Sequence, residues 1–250
     1  MKKTLAITIT IVLLSSVLCA ACSQNPTSQN LEKLNEIRNA TVLITMQSPN
    51  PDQSIENSTF LSYGVGSLIQ YRGETLLVTH NHWRNLQDVT IVKFYDADNN
   101  LIKVIIKQRF AESIVYADAG TLVLRPPQEL IDQLAPVSLQ DVPQVDAGET
   151  VEVVYRENPS RETAAILQAV VEEVITYEGQ PVYKLRSPDG QTIQPGDSGG
   201  GVWYQGSLVG NNWTVTAKSN TTLESSEEAE NENFILTDLS YAAALPENIP

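Results

Sequence analysis

The sequence predicts an all-β protein built as two lobes, and three observations predict it. From residue 39 onward, short apolar and β-branched runs alternate with turn residues, the pattern of a barrel or sandwich. No long helical period interrupts them before the C-terminus. A Pro-containing, acid-biased stretch over residues 128–147 divides the runs into two sets, and the boundary between the lobes falls there.

The N-terminus is an addressing segment and not part of that fold. Met1-Lys2-Lys3 precedes the uncharged apolar run Thr4 to Ala21, in the proportions of an export signal. A single membrane anchor is the other reading its length permits. Val17-Leu18-Cys19-Ala20-Ala21-Cys22 resembles a bacterial lipobox, with Cys22 as the lipidated residue. Leu18 lies four residues before Cys22 instead of three, which leaves ordinary cleavage after Ala20 or Ala21 open. With Cys22 lipidated, the expectation is an exported lipoprotein held to a membrane and facing outside the cytoplasm; without it, a secreted protein. Residues 22–38 then form a polar tether, with a short helix over 30–38.

The first lobe spans about 39–127. Ala40 to Met46 opens it, followed by the polar loop Ser48 to Ser58. Phe60 to Gln70 and Thr75 to Thr79 flank Tyr71-Arg72-Gly73-Glu74, which reads as a hairpin turn. Val89 to Tyr95, Leu101 to Phe110 and Thr121 to Leu124 are the next strands. Arg125-Pro126-Pro127 stops the last one, since proline cannot sit inside a central ladder. The second lobe, about 148–245, contains Thr150 to Tyr155, Ala164 to Tyr177, Pro181 to Leu185, Gly200 to Trp203 and Ser207 to Asn212. Phe234 to Leu239 returns as a strand, and Tyr241-Ala242-Ala243-Ala244 reads as a short helical turn.

Composition narrows the chemistry. The chain has 250 residues, with 16 basic against 30 acidic side chains and a net charge of −14. A nucleic-acid partner is excluded, because phosphate attraction needs a basic surface. Cys19 and Cys22, the only two cysteines, both lie at the end of the apolar run. The folded part therefore has neither a disulfide framework nor a cysteine-held zinc. His80 and His82 are the only two histidines, too few for most histidine-held metal centres, so no metal or other cofactor is expected. Ser219 to Asn233 carries Glu224, Glu227, Glu228, Glu230 and Glu232 and reads as a solvated loop. A calcium loop is the alternative, but the alternating spacing and turn glycine are missing.

The densest chemical signal is Gly196-Asp197-Ser198-Gly199-Gly200. Glycines around a serine let the backbone turn tightly and aim amide N–H groups inward, leaving the hydroxyl exposed. A serine alone is a poor nucleophile and needs a base. These five residues resemble the nucleophile motif of the chymotrypsin-like (trypsin-like) serine endopeptidases. Leu77-Val78-Thr79-His80-Asn81-His82-Trp83 resembles the histidine motif of that family, and Asp118-Ala119-Gly120-Thr121-Leu122-Val123-Leu124 its aspartate motif. The order matches as well, with 36 residues from His82 to Asp118 and 80 from Asp118 to Ser198.

The resemblance covers roughly residues 40–245. It implies two six-stranded antiparallel β-barrels packed together, with a short C-terminal helix, in one peptidase domain over 39–250. It implies hydrolysis of protein or peptide substrates through an acyl-enzyme, with Ser198 as nucleophile, His82 as base and Asp118 orienting the imidazole. The backbone N–H groups of Gly196 and Ser198 would make the oxyanion hole. His80 competes with His82, but His82 falls where the family has its base. Trp83 stands where many animal members carry a cysteine. No activation cleavage site precedes Ala40, so Asp197 is expected to accept local hydrogen bonds and the enzyme to need no propeptide removal. A catalytically inactive module of this family, binding peptides or an envelope partner, is the alternative reading.

Specificity follows from the same resemblance. The family places the residue six positions before the nucleophile at the base of the pocket for the side chain preceding the cleaved bond. Here that residue is Thr192, with a second wall from about Gly210 to Trp213. A basic side chain entering an uncharged pocket stays unpaired, at a cost of about 1–3 kcal/mol or more. Matched peptides with Ala, Leu, Gln, Glu, Lys or Arg before the scissile bond are expected to show Lys and Arg disfavoured in kcat/KM. A tenfold preference for either overturns the assignment.

Overall fold

In a computed structural model, the apolar runs form fourteen strands among the described residues. Those residues are 28–49, 59–84, 89–157, 162–177, 179–188, 190–191, 193–213, 239–246 and 249. Cys22, Thr192 and the acidic segment 219–233 lie outside them. Residues 1–33 and 34–250 form separate units. Of the first, only residues 28–33 are described, as the opening turns of helix α1 (Ser28–Asn39). No helix among the described residues is long and apolar enough to cross a membrane.

In the second unit, strands β1 (Thr41–Pro49), β2 (Thr59–Tyr71), β3 (Glu74–His80), β4 (Ile91–Tyr95), β5 (Leu101–Ile106), β6 (Ile114–Ala117), β7 (Thr121–Leu124) and β8 (Val137–Leu139) form one sheet. Its order is β5-β4-β1-β2-β3-β7-β6, with β8 added in parallel to β2. Arg72 and Gly73 both take positive φ, at 48° and 87°, which is what a two-residue turn joining twisted strands demands. The remaining strands, β9 (Thr150–Arg156), β10 (Ala164–Tyr177), β11 (Gln180–Arg186), β12 (Gly201–Tyr204), β13 (Ser207–Trp213) and β14 (Leu239–Ala244), close into a barrel in the order β10-β11-β14-β13-β12-β9.

The expected pair of six-stranded barrels is therefore corrected to one closed barrel and one open sheet of eight strands. The reason lies in residues 107–112. The run Leu101 to Phe110 does not continue as a strand but turns at Ile106 into helix α2 (Lys107–Glu112). The two outer strands, β5 and β6, are thus joined by a helix and not by a ladder. Phe110 on α2 is buried and stacks on Phe94 of β4 at 6.5 Å between ring centres. Leu130 of α3 (Gln128–Gln133) and Trp83 fill the same side of the sheet. Helix side chains complete this core where a closing strand would otherwise lie.

The short C-terminal helix is also corrected. Tyr241 to Ala244 lie in β14, paired with β11 on one side and β13 on the other. Alanine favours helix only weakly, and the last ladder of the barrel overrides it.

Central strands are buried on both faces. On β1, Val42, Ile44 and Met46 point into the core with Phe110, while Leu43 points to a second core shared with the barrel. Leu77 against Leu76 and Val78, and Leu122 against Val123, repeat the division. The shared core joins Val65, Ile69 and Val123 of the sheet to Val154, Trp203 and Leu208 of the barrel. Sheet and barrel thus pack as one body along a seam. Phe110→Ala is expected to cost about 3–5 kcal/mol, read as a lower urea midpoint at unchanged slope.

Candidate active site

Three segments meet at the seam between sheet and barrel. The first leaves β3, whose last residue, His80, is buried at 3 % exposure. A single 3-10 turn, Asn81–Arg84, follows and presents His82 towards solvent while burying Trp83. Trp83 explains a glycine across from it: a Cβ at Gly64 would lie 2.5 Å from the indole.

The second segment is the turn into β7. His80 pairs with Thr121 in the ladder, and Asn81 laces the two turns together. Its backbone N–H donates to Gly120 O at 3.3 Å, and its side-chain amide donates to Asp118 O. Asp118 Oδ1 accepts from Gly120 N (2.9 Å) and Thr121 N (2.6 Å). Its Oδ2 accepts from the Tyr116 hydroxyl at 2.9 Å. Burial first, then the Asp118 carboxylate, push the Tyr116 pKa up to about 12, so the hydroxyl stays a donor.

The third segment is the serine turn. Gly196 and Gly199 take positive φ, at 102° and 87°. Asp197, 1 % exposed, accepts Arg156 N–H at Oδ1 (2.9 Å) and Gln194 N–H at Oδ2 (2.7 Å). The bond from Gln194 is local as expected, whereas that from Arg156 comes from β9 of the barrel. Val65 N–H donates to Ser198 O at 3.0 Å, and Gly199 N–H to Asn212 O at 2.8 Å. A Cβ at Gly199 would sit 2.2 Å from both Thr79 Oγ1 and Val65 O, and 2.9 Å from His80 N. The serine turn therefore lies directly on the end of the strand that delivers His82. On the other flank, Asn211 Nδ2 donates to Thr121 Oγ1 at 3.0 Å.

The backbone brings His82, Asp118 and Ser198 to one place, yet the imidazole and the carboxylate do not bond each other. The hydrogen-bond partner of the His82 ring is His80, at 2.6 Å between the two Nδ1 atoms. Desolvation by the surrounding chain lowers the His82 pKa to about 4; the ring's exposed edge limits that shift without changing its direction. Burial, and then the neighbouring His82, hold His80 well below its usual value. Both rings are neutral at pH 7.

No protein-family model and no curated protein matches the chain. Solved structures match in fold. An HtrA-type protease, AlgW, aligns in its tripeptide complex over 86 % of this chain and 59 % of that one, with TM-score 0.55 and 14 % identity. Its decapeptide complex aligns over 86 % and 62 %, with TM-score 0.56 and 12 % identity. The inactive form of the Rv3671c protease aligns over 86 % and 88 %, with TM-score 0.52 and 16 % identity. The fold is similar to that of trypsin-like serine proteases. At such identities the likeness is one of fold, and the chain spans about three fifths of the HtrA-type chains.

Several contacts of the site carry no signal in the sequence. Tyr116 lies two residues before Asp118 in a strand the sequence did not reveal. Trp213 stacks on His80 at 5.7 Å and meets Tyr177 at 4.7 Å, contacts made only once the barrel closes. Gly210, expected in a pocket wall, lies in β13, where a Cβ would fall 2.5 Å from Ala243 O. Its missing side chain serves the packing of β13 on β14. Gly199→Ala adds a clash with backbone to a left-handed φ. It is expected to cost about 2–4 kcal/mol, read as a fall in thermal midpoint, and to abolish any activity the turn supports.

Proposed function

We propose that the chain is a serine endopeptidase with Ser198 as nucleophile and His82 as base. The observation that carries this reading is the serine turn seated on the end of β3, with Gly199 against Thr79 and His80. Nucleophile and base then belong to segments that cannot drift apart without breaking the seam. Ser198 Oγ attacks a peptide carbonyl, forming the O–C bond as its proton passes to His82. The proton returns to the leaving amine as the C–N bond breaks, and water repeats the sequence on the acyl-enzyme. The N–H groups of Gly196 and Ser198 stabilise the oxyanion. Asp118 is the third member by sequence order. It holds the turn into β7, to which Asn81 ties the base.

Substrates are proteins or peptides, with uncharged side chains in the Thr192 pocket. With Cys22 as lipid anchor, the domain works outside the cytoplasm at a membrane surface. One observation favours a second reading, an inactive module that binds peptides: the Asp118 carboxylate is spent on its own turn.

Two measurements separate these readings. Wild-type protein is expected to react with a fluorophosphonate and to cleave a peptide library, and Ser198→Ala to do neither while melting as the wild type does. A wild type inert in both assays establishes the binding module. The pH profile tests the base. A lowered His82 pKa keeps the imidazole neutral as pH falls through 6.5. The acid limb of kcat/KM is therefore expected below pH 6, while near-UV circular dichroism remains native. A limb at 6.5 or above contradicts His82 in this setting.

A further inference from the structure

Building on the peptidase reading, we propose that His80 is a positioning residue: it orients His82 and fixes the tautomer in which His82 serves as base. The argument begins with a group that can only donate. The backbone N–H of His82 points at His80 Nδ1 at 3.2 Å, so that nitrogen carries a lone pair and the His80 proton sits on Nε2. The same Nδ1 lies 2.6 Å from His82 Nδ1. Two lone pairs at that distance repel, so His82 Nδ1 carries the proton and donates it. The lone pair of His82 is thereby left on Nε2. That is the tautomer a base needs when its other nitrogen is held.

The surroundings make His80 a fixed acceptor. Its backbone pairs with Thr121, the serine turn abuts its N–H through Gly199, and Trp213 stacks on its ring. Of the titratable groups around it, His82 is the one whose charge acts on His80, while Asp118 and Asp197 in the adjoining turns are held by their own backbone N–H partners. Burial keeps His80 neutral, which preserves the accepting lone pair below neutral pH. His80 Nε2 is buried without a hydrogen-bond partner among the described residues, a cost that an apolar side chain of similar size would avoid. The carboxylate expected in the orienting role is elsewhere, with Asp118 bound by Tyr116, Gly120 and Thr121.

The chain has two histidines, so two imidazoles decide the matter by nitrogen NMR of the full-length protein, with His80→Asn assigning the signals. At pH 7, His80 is expected protonated on Nε2 and His82 on Nδ1. His80 protonated on Nδ1, or His82 on Nε2, overturns the inference whether or not the protein cleaves peptides. In kinetics, His80→Ala is expected to lower kcat by about a hundredfold or more with KM within threefold. His80→Asn, whose amide oxygen can accept both N–H groups, is expected to recover to within about tenfold of wild type. A His80→Ala protein with kcat within threefold of wild type overturns the role of His80, while loss of activity in Ser198→Ala leaves the peptidase reading standing. Cleavage that survives Ser198→Ala removes that reading instead, and the tautomers then judge the histidine pair alone.

Discussion

Arg156 is the residue on which sheet, barrel and serine turn jointly depend. It sits in β9 of the barrel at 2 % exposure, and its guanidinium crosses the seam. One terminal nitrogen donates to Ile44 O on β1 and Gly64 O on β2, at 2.9 Å each. Tyr63 presents its ring 5.2 Å from the guanidinium carbon. The backbone N–H of the same residue holds Asp197 Oδ1. A buried charge is tolerable only when its donors are used, and here each use ties a different part of the fold. The planar fork of arginine reaches two strands at once, where a lysine would bring one flexible point.

Asp197 transmits that constraint into the serine turn. With Oδ1 on Arg156 N and Oδ2 on Gln194 N, the carboxylate sets the path of the chain on both sides of Gly196. The turn then docks through Val65 N to Ser198 O and through the close approach of Gly199. In a sheet left open at its outer strands, the strands that dock the serine turn and deliver His80 and His82, β2 and β3, stay central. Of the two open ends, β5 lies far along the order, while β6 pairs with β7 and carries Tyr116, which bonds Asp118.

Most strands were legible because period and turn chemistry agreed. Ala164 to Tyr177 and the hairpin at Arg72-Gly73 are read from β-branched runs and a required positive φ. What failed was long-range. Lys107-Gln108-Arg109-Phe110-Ala111-Glu112 follows an apolar run, and no local rule separates a strand ending at Phe110 from a helix beginning at Lys107 that buries Phe110 against Phe94. Tyr241 to Ala244 has helical composition, and only the vacancy between β11 and β13 makes it a strand. At the site, glycines flanking Ser198 and the Thr-x-x-His spacing stand out in sequence. The partner of each polar atom does not, because Asp118 is equally suited to hold an imidazole or to cap its own turn. Chain geometry at Gly120 and Thr121 chose the turn.

That choice changes the electrostatics of a base. A carboxylate beside an imidazole stabilises the cation and raises its pKa; a neutral imidazole in its place gives orientation without charge. Here the carboxylate is turned away, so desolvation of His82 lowers its pKa with no adjacent negative charge to raise it. In the proposed peptidase reading such a base would be weaker, with less driving force for taking the Ser198 proton, yet would stay unprotonated in acid. Orientation and charge stabilisation are usually supplied together by one acid side chain. In the proposed reading they are separable: His80 would supply the first, while the second is lost with the Asp118 carboxylate bound to its own turn.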